Sequence, residues 1–208
     1  EKYIQYMLRD VHRLSDNIGN ILDLGRIESQ NFKDEFLVLD ILSFIRSFYD
    51  KNAHLFNGLN ISINNETSQP IRLPISQRLF EMLLINMATN SLKYNTSSAP
   101  KLTISAKHHT HTARPFVTLK FTDNGIGIHR SQRKKVFKKF YQIGHSNIRS
   151  AKGSGLGLYL VQNIVRAHHG KIKVSIPPDN KGSEFTIKLP LSSKRSMAKT
   201  ARKMMGLK

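Results

Sequence analysis

The sequence predicts an α+β fold, a two-layer sandwich in which a mixed sheet packs against helices. Apolar residues recur at helical spacing in four stretches and alternate with polar ones in several short runs. The two patterns are interspersed along the chain, and the spacing of the runs calls for both hairpins and crossovers. At 208 residues and 39% hydrophobic, the chain can bury one sizeable core and still carry an appended element.

The first stretch runs from Ile4 to Ile27, with Ile4, Met7, Val11, Leu14, Ile18 and Ile21 forming a narrow stripe flanked by Leu8 and Leu22. Such a stripe is a bundle or coiled-coil seam, and one isolated helix cannot bury it. Phe36 to Leu39 reads as a short strand, after which Asp40 can cap a helix reaching about Phe56. Ile61 and Ile63 alternate with polar neighbours in a strand from Asn60 to Asn64. Ser76 is the expected N-cap of an apolar helix ending at Tyr94. Strands Lys101 to Lys107 and Phe116 to Thr122 follow, joined by a His- and Thr-rich turn. A last helix spans about Gly155 to His168, and strands Lys171 to Ile176 and Glu184 to Leu189 flank an Asp179-Asn180-Lys181-Gly182 turn.

Composition narrows the class. There is no cysteine, so disulfides and thiolate metal sites are excluded, which fits a cytoplasmic chain. No apolar run is long enough to span a membrane, and Glu1 to Gln5 show no basic start followed by an apolar core, so no signal peptide is visible. The chain opens inside a helical pattern, as a piece of a longer protein would. With 33 Lys and Arg against 14 Asp and Glu, the net charge is +19, concentrated at residues 130–139 and 194–208. That charge attracts polyanions, yet no aromatic stacking pattern or helix-turn-helix spacing accompanies it. A basic nucleic-acid-binding module is therefore the alternative reading, and nucleic acid is not the expected partner. His108, His109 and His111 give a weak zinc pattern without thiolates.

Three segments carry chemistry. Asn86, Asn90 and Lys93 sit at i, i+4 and i+7 of the helix that ends at Tyr94 and so share one face. Amide oxygens are hard ligands for Mg²⁺ and lysine suits phosphate, although a solvated polar face has the same spacing. Asp123-Asn124-Gly125-Ile126-Gly127-Ile128 follows an alternating strand, where a carboxylate can accept a hydrogen bond from an exocyclic amine. By itself the segment is an ordinary turn. Gly153-Ser154-Gly155-Leu156-Gly157 opens a helix, whose bare amides and dipole make an anion site. It matches neither the Walker nor the dinucleotide spacing.

In this order the three segments resemble the N, G1 and G2 boxes of the histidine-kinase catalytic domain, a branch of the GHKL superfamily with the Bergerat-type fold. Val136-Phe137-Lys138-Lys139-Phe140-Tyr141 is similar to its F box, and Gly182 to Pro190 to its closing strand. Ile21 to Glu28 resembles the end of the second dimerisation helix. The resemblance implies three parts: residues 1–30, the second helix of a truncated dimerisation hairpin; 35–190, the catalytic ATP-binding domain; and 191–208, a basic tail or linker. It implies ATP and Mg²⁺ as cofactors, with Asn90 as metal ligand and Asn86 near the phosphates or the metal's waters. Lys93 matches the phosphate-contacting lysine and Tyr94 the ring flanking the nucleotide. Asp123 would read the adenine amine, with Gly125, Gly127 and Ile128 shaping that wall.

Residues 129–154 would form a lid, with Gly155, Leu156 and Gly157 as its hinge and Arg149 or Lys152 as its cation. The implied activity is transfer of the γ-phosphate to a histidine, with a response regulator as downstream partner and a homodimer formed through the hairpin. Any membrane attachment would lie in upstream segments. In the hydrolysing relatives a glutamate occupies the Asn86 position, and an amide cannot serve as a general base. That favours phosphotransfer over hydrolysis, and the N-terminal heptad helix, which looks like half of a dimerisation hairpin, argues against the alternatives in the same superfamily, an ATPase or a serine kinase. Of the nine histidines, none has an acidic residue next to it followed by proline, the context expected of the acceptor. Ser91 stands where the family usually has alanine.

Overall fold

The computed structural model describes residues 36–67, 69–143 and 154–191, and residues 3, 4, 7, 11, 18, 19, 21, 22, 24, 25 and 27 of the N-terminal helix. The lid residues 144–153, among them Arg149 and Lys152, lie outside the described residues, as do Leu8, His12, Leu14 and residues 192–208.

Strand β1 (Phe36–Asp40) leads into helix α1 (Ile41–Lys51), where the Asp40 carboxylate accepts from the Leu42 N–H. The helix ends sooner than the sequence pattern predicts, because Asn52 takes the Phe48 carbonyl with its side-chain amide and a 3-10 turn covers Ala53–Phe56. Strand β2 spans Asn60–Asn65. Strand β3 (Arg72–Ser76) was not expected from the pattern. It pairs antiparallel with β1 in a small second sheet, where an edge position tolerates Pro74. Ser76 then caps helix α2 (Gln77–Lys93) by accepting from Leu79 N–H, as anticipated.

Strands β4 (Lys101–His109) and β5 (Phe116–Asp123), helix α3 (Gly157–Ala167), and strands β6 (Lys171–Ser175) and β7 (Glu184–Pro190) complete the fold. The main sheet has the order β2-β4-β5-β7-β6. Only β2 and β4 run parallel, so the chain must cross over between them, and β3 with α2 makes that crossover. Alternation puts Leu102, Ile104, Val117, Leu119, Phe121 and Ile187 on one buried face, under the helices. The result is the α+β sandwich expected.

His168, the C-cap of α3, ties the helical layer together. Its Nε2 accepts from the Ser76 N–H at 3.1 Å, and its Nδ1 lies 2.8 Å from the Ile164 carbonyl, so the proton sits on Nδ1. Burial lowers its pKa and keeps it neutral. The N-terminal helix behaves differently along its length. Leu24 and Ile27 are buried in the core, whereas Ile4, Met7, Val11, Ile18 and Ile21 are half or more exposed. Among the described residues, no helix is long and apolar enough to cross a membrane.

Candidate functional site

Helices α2 and α3 meet at Gly157, the first residue of α3. Asn86 donates its Nδ2 to the Met82 carbonyl at 2.8 Å. That bond fixes the amide and turns Oδ1 toward α3, where it lies 2.7 Å from the place a Cβ on Gly157 would take. Only glycine lets the helices approach so closely. Asn90 Nδ2 lies 3.9 Å from the same point, and it is buried without a hydrogen-bond partner. An unpaired buried amide costs about 1–3 kcal/mol, so this one is not there for stability. It fits a phosphate oxygen as placed, or a cation once its N and O exchange places.

The start of α3 fits an anion too. Leu156 occupies the cap position without a side-chain cap, and no acidic residue lies in the first turn. First-turn N–H groups are thereby left to a ligand, with the helix dipole behind them. Leu156 itself is an anchor: its side chain is buried, and its N–H bonds the Ser154 hydroxyl at 3.3 Å. Gly155 lies against the backbone of Phe140. Thus the F-box segment, whose Val136 and Phe137 are buried, braces the loop that presents α3.

The other end of the site is Asp123, the last residue of β5. Its Oδ1 accepts from Gly125 N–H at 2.9 Å and Ser183 N–H at 3.2 Å. Oδ2 makes no hydrogen bond among the described residues, so it is available to a donor. Burial raises the carboxyl pKa, against the lowering effect of the two N–H bonds. Tyr94 links the two ends. It caps α2, its carbonyl accepts from Ile126 N–H at 3.0 Å, and the Lys93 ammonium lies 5.4 Å from its ring centroid. Burial raises the Tyr94 phenol pKa. Gly125 is packed so close to the Tyr94 carbonyl that a Cβ would come within 2.4 Å. Gly127 and Ile128 continue the loop, with Ile128 accepting from Arg133 Nε at 3.2 Å.

Of the site residues expected from the sequence, Asn86, Asn90 and Gly157 meet at the α2–α3 junction, Asp123 and Gly125 meet at the end of β5, Tyr94 at the end of α2 contacts Gly125, and Leu156 is buried as an anchor. Three further residues were not anticipated there. Ser183 holds Asp123 through its N–H. Gly182 has φ +79°, and a Cβ on it would fall 1.9 Å from the Asp123 carbonyl oxygen. Asn124 pins the loop, accepting from Asn95 Nδ2 and Lys101 N–H, both at 2.7 Å, and donating to Ala99 O at 3.0 Å. The Asp-Asn-Lys-Gly turn was visible in the sequence. That it forms a wall against Asp123 follows only from the pairing of β5 with β7. The histidine pattern goes elsewhere: His109 bonds the Thr118 hydroxyl at 3.0 Å and stacks on Phe116. Among the described residues no group of three metal-ligating side chains occurs.

Comparison with known proteins supplies the family and supports the fold. Residues 75–193 match the model of the family described as histidine kinase-, DNA gyrase B-, and HSP90-like ATPase. The chain is 24% identical over 189 residues to the sensor-like histidine kinase SenX3 of Mycolicibacterium smegmatis, covering 91% of this chain and 48% of that protein. It is 25% identical over 193 residues to the autoinducer 2 sensor kinase/phosphatase LuxQ of Vibrio vulnificus, covering 91% and 22%. The chain thus spans about half, or less, of these curated relatives. Among solved structures, the histidine kinase AdeS of Acinetobacter baumannii superposes with a TM-score of 0.70 at 25% identity, covering 93% of this chain and 86% of that one. ShkA in complex with AMPPNP also superposes at 0.70, with 19% identity, covering 92% of this chain and 39% of ShkA. The chain belongs to the histidine kinase-, DNA gyrase B- and HSP90-like ATPase family, and it carries the ATP-binding domain found in the sensor histidine kinases it resembles.

Proposed function

We propose that this chain binds Mg-ATP and transfers the γ-phosphate to a histidine outside its own length, for relay to a response regulator. The observation that carries this is the juxtaposition of the fixed Asn86 oxygen and the unpaired Asn90 amide at the bare start of α3. Asn90 would hold the magnesium, and Asn86 would lie near the phosphates or the metal's waters. When bound, magnesium would neutralise phosphate charge and so ease transfer. Lys93 and the α3 amides orient the phosphates. The free oxygen of Asp123 accepts a hydrogen bond from the adenine amino group, with Tyr94, Gly125, Gly127 and Ile128 beside the base. Gly155, Leu156 and Gly157 set the position of α3. Asn86 cannot take a proton from water, so hydrolysis is slow and the phosphoryl group waits for a positioned acceptor.

The exposed stripe at Ile4, Met7, Val11, Ile18 and Ile21 supports a dimerisation hairpin over residues 1–30, leaving residues 35–190 as the catalytic domain. We place the activity in the cytoplasm, with any membrane attachment in segments upstream. The experiment is incubation with γ-labelled ATP, with and without an added helical hairpin carrying an acceptor histidine. Acid-labile label on the hairpin and none on the chain is the expected result. Rapid ATP hydrolysis with an unlabelled hairpin would identify an ATPase instead.

A further inference from the structure

Among the described residues, one face of the five-stranded sheet carries no helix. Alternation turns Lys107 of β4, Lys120 of β5, Lys188 of β7, and Lys171 and Lys173 of β6 to that face, opposite the buried set. The strand register places them in two adjacent rows: Lys107–Thr118–Lys188–Lys171, and Ser105–Lys120–Thr186–Lys173. With strands about 4.8 Å apart, each row is about 14 Å wide. Two acids abut the array. Glu184 is paired with Lys120 at 3.2 Å, and Glu66 is hydrogen-bonded to Ser105. Among the described residues, Lys107, Lys171, Lys173 and Lys188 make no ion pair. The face is thus positive in two dimensions and turned away from the helices that carry Asn86, Asn90 and Gly157.

Its chemistry selects among polyanions. A single-stranded nucleic acid draws much of its affinity from bases stacked on aromatic rings. Here the aromatic ring among the strand residues of this face is Phe116, taken from the β4 side by His109, stacked at 4.3 Å, and from the β7 side by the Lys188 ammonium at 4.8 Å. A protein partner would need an apolar or aromatic anchor, and the remaining strand positions of this face are Lys, Thr, Ser, Asn and Glu, with Pro190 at the end of β7. A two-dimensional array of lysines without anchor or stacking platform matches an array of negative headgroups.

We propose that the helix-free face of the sheet seats on an anionic lipid surface, leaving the nucleotide site open on the opposite side. The proposal stands apart from the assignment of the nucleotide site. The test is sedimentation of the full chain with phosphatidylserine–phosphatidylcholine vesicles and with phosphatidylcholine vesicles alone. Binding is expected only to the anionic vesicles, and to weaken steeply with salt. A lysine near such a surface contributes about fivefold to partitioning, so K107Q/K171Q/K173Q should lose on the order of a hundredfold. A control, K51Q/R72Q/R166Q, removes three exposed cations elsewhere and should lose less than tenfold. Retained ATP affinity and melting temperature certify the fold. If the triple variant misfolds, K171Q and K173Q singly should each lose about fivefold. Equal losses in the two triple variants, or no anionic-vesicle binding at low salt, would overturn the proposal. So would binding to an oligonucleotide that the sheet variant abolishes while vesicles are ignored.

Discussion

Replacing Asp123 with asparagine separates ligand recognition from folding. The substitution keeps shape and leaves an Oδ1 to accept from Gly125 and Ser183 N–H. What changes is the other atom, from a carboxylate oxygen to an NH₂ donor. Opposite the adenine amine this sets donor against donor. Loss of one charge-assisted hydrogen bond amounts to about 1.5–3 kcal/mol, roughly ten- to a hundredfold in ATP affinity. Guanine presents an oxygen there, so GTP should bind the variant better than it binds the parent chain. The fold should respond in the opposite direction to ATP binding. The folded pKa of Asp123 is raised above its ordinary 3.8 by burial. A carboxyl so raised opposes folding in its charged form, and its contribution to stability falls as pH rises from 3.8 through the folded value. At neutral pH the neutral amide sheds that desolvation cost, so the ligand-free variant should melt at the same temperature or higher. Calorimetric titration with ATP and GTP, beside a thermal melt, reads all three effects. ATP affinity within twofold of the parent, or a melting temperature several degrees lower, would refute the reasoning and make Asp123 a structural residue.

Other predictions follow from the same contacts. Asn90→Ala should remove most of the Mg²⁺ dependence of nucleotide binding, measured by titration with and without the metal, while leaving the fold intact because the amide has no partner there. Gly182→Ala puts a side chain at φ +79° and against the Asp123 carbonyl; strain alone is worth about 1–3 kcal/mol, and denaturant unfolding should register at least that loss. His168 has a folded pKa lowered from 6.5, so its stabilising contribution is complete above 6.5 and fades as pH falls below it toward the folded value. Melting temperature followed downward from pH 7.5 should drop more for the parent than for a His168→Gln variant, whose side chain does not titrate. A chain starting near Phe36 should sediment as a monomer, whereas the full chain, with Ile4 to Ile21 exposed, should self-associate; identical monomers would give the stripe another use.

The local elements were readable because each depends on neighbours in sequence. Asp40 and Ser76 cap helices through residues two or three positions away, and Asn86, Asn90 and Lys93 share a face by helical pitch alone. The order of the three motifs was likewise a property of the chain, and it sufficed to point to the ATP-binding fold. What sequence could not supply was contact between distant segments. Strand β3 exists because β1 offers it an antiparallel partner, and its own pattern, broken by Pro74, gives little sign of it. The tautomer of His168 is set by the N–H of Ser76, 92 residues away in sequence, and its neutrality by burial. Ser183 and Gly182 join the site because β7 pairs with β5. The lysine face emerges the same way: Lys107, Lys188 and Lys171 look like scattered charges until the register sets them in a row. Periodicity is written in the chain one turn or one pleat at a time, whereas burial, pairing and the free oxygen of Asp123 depend on which segments the packed core brings together.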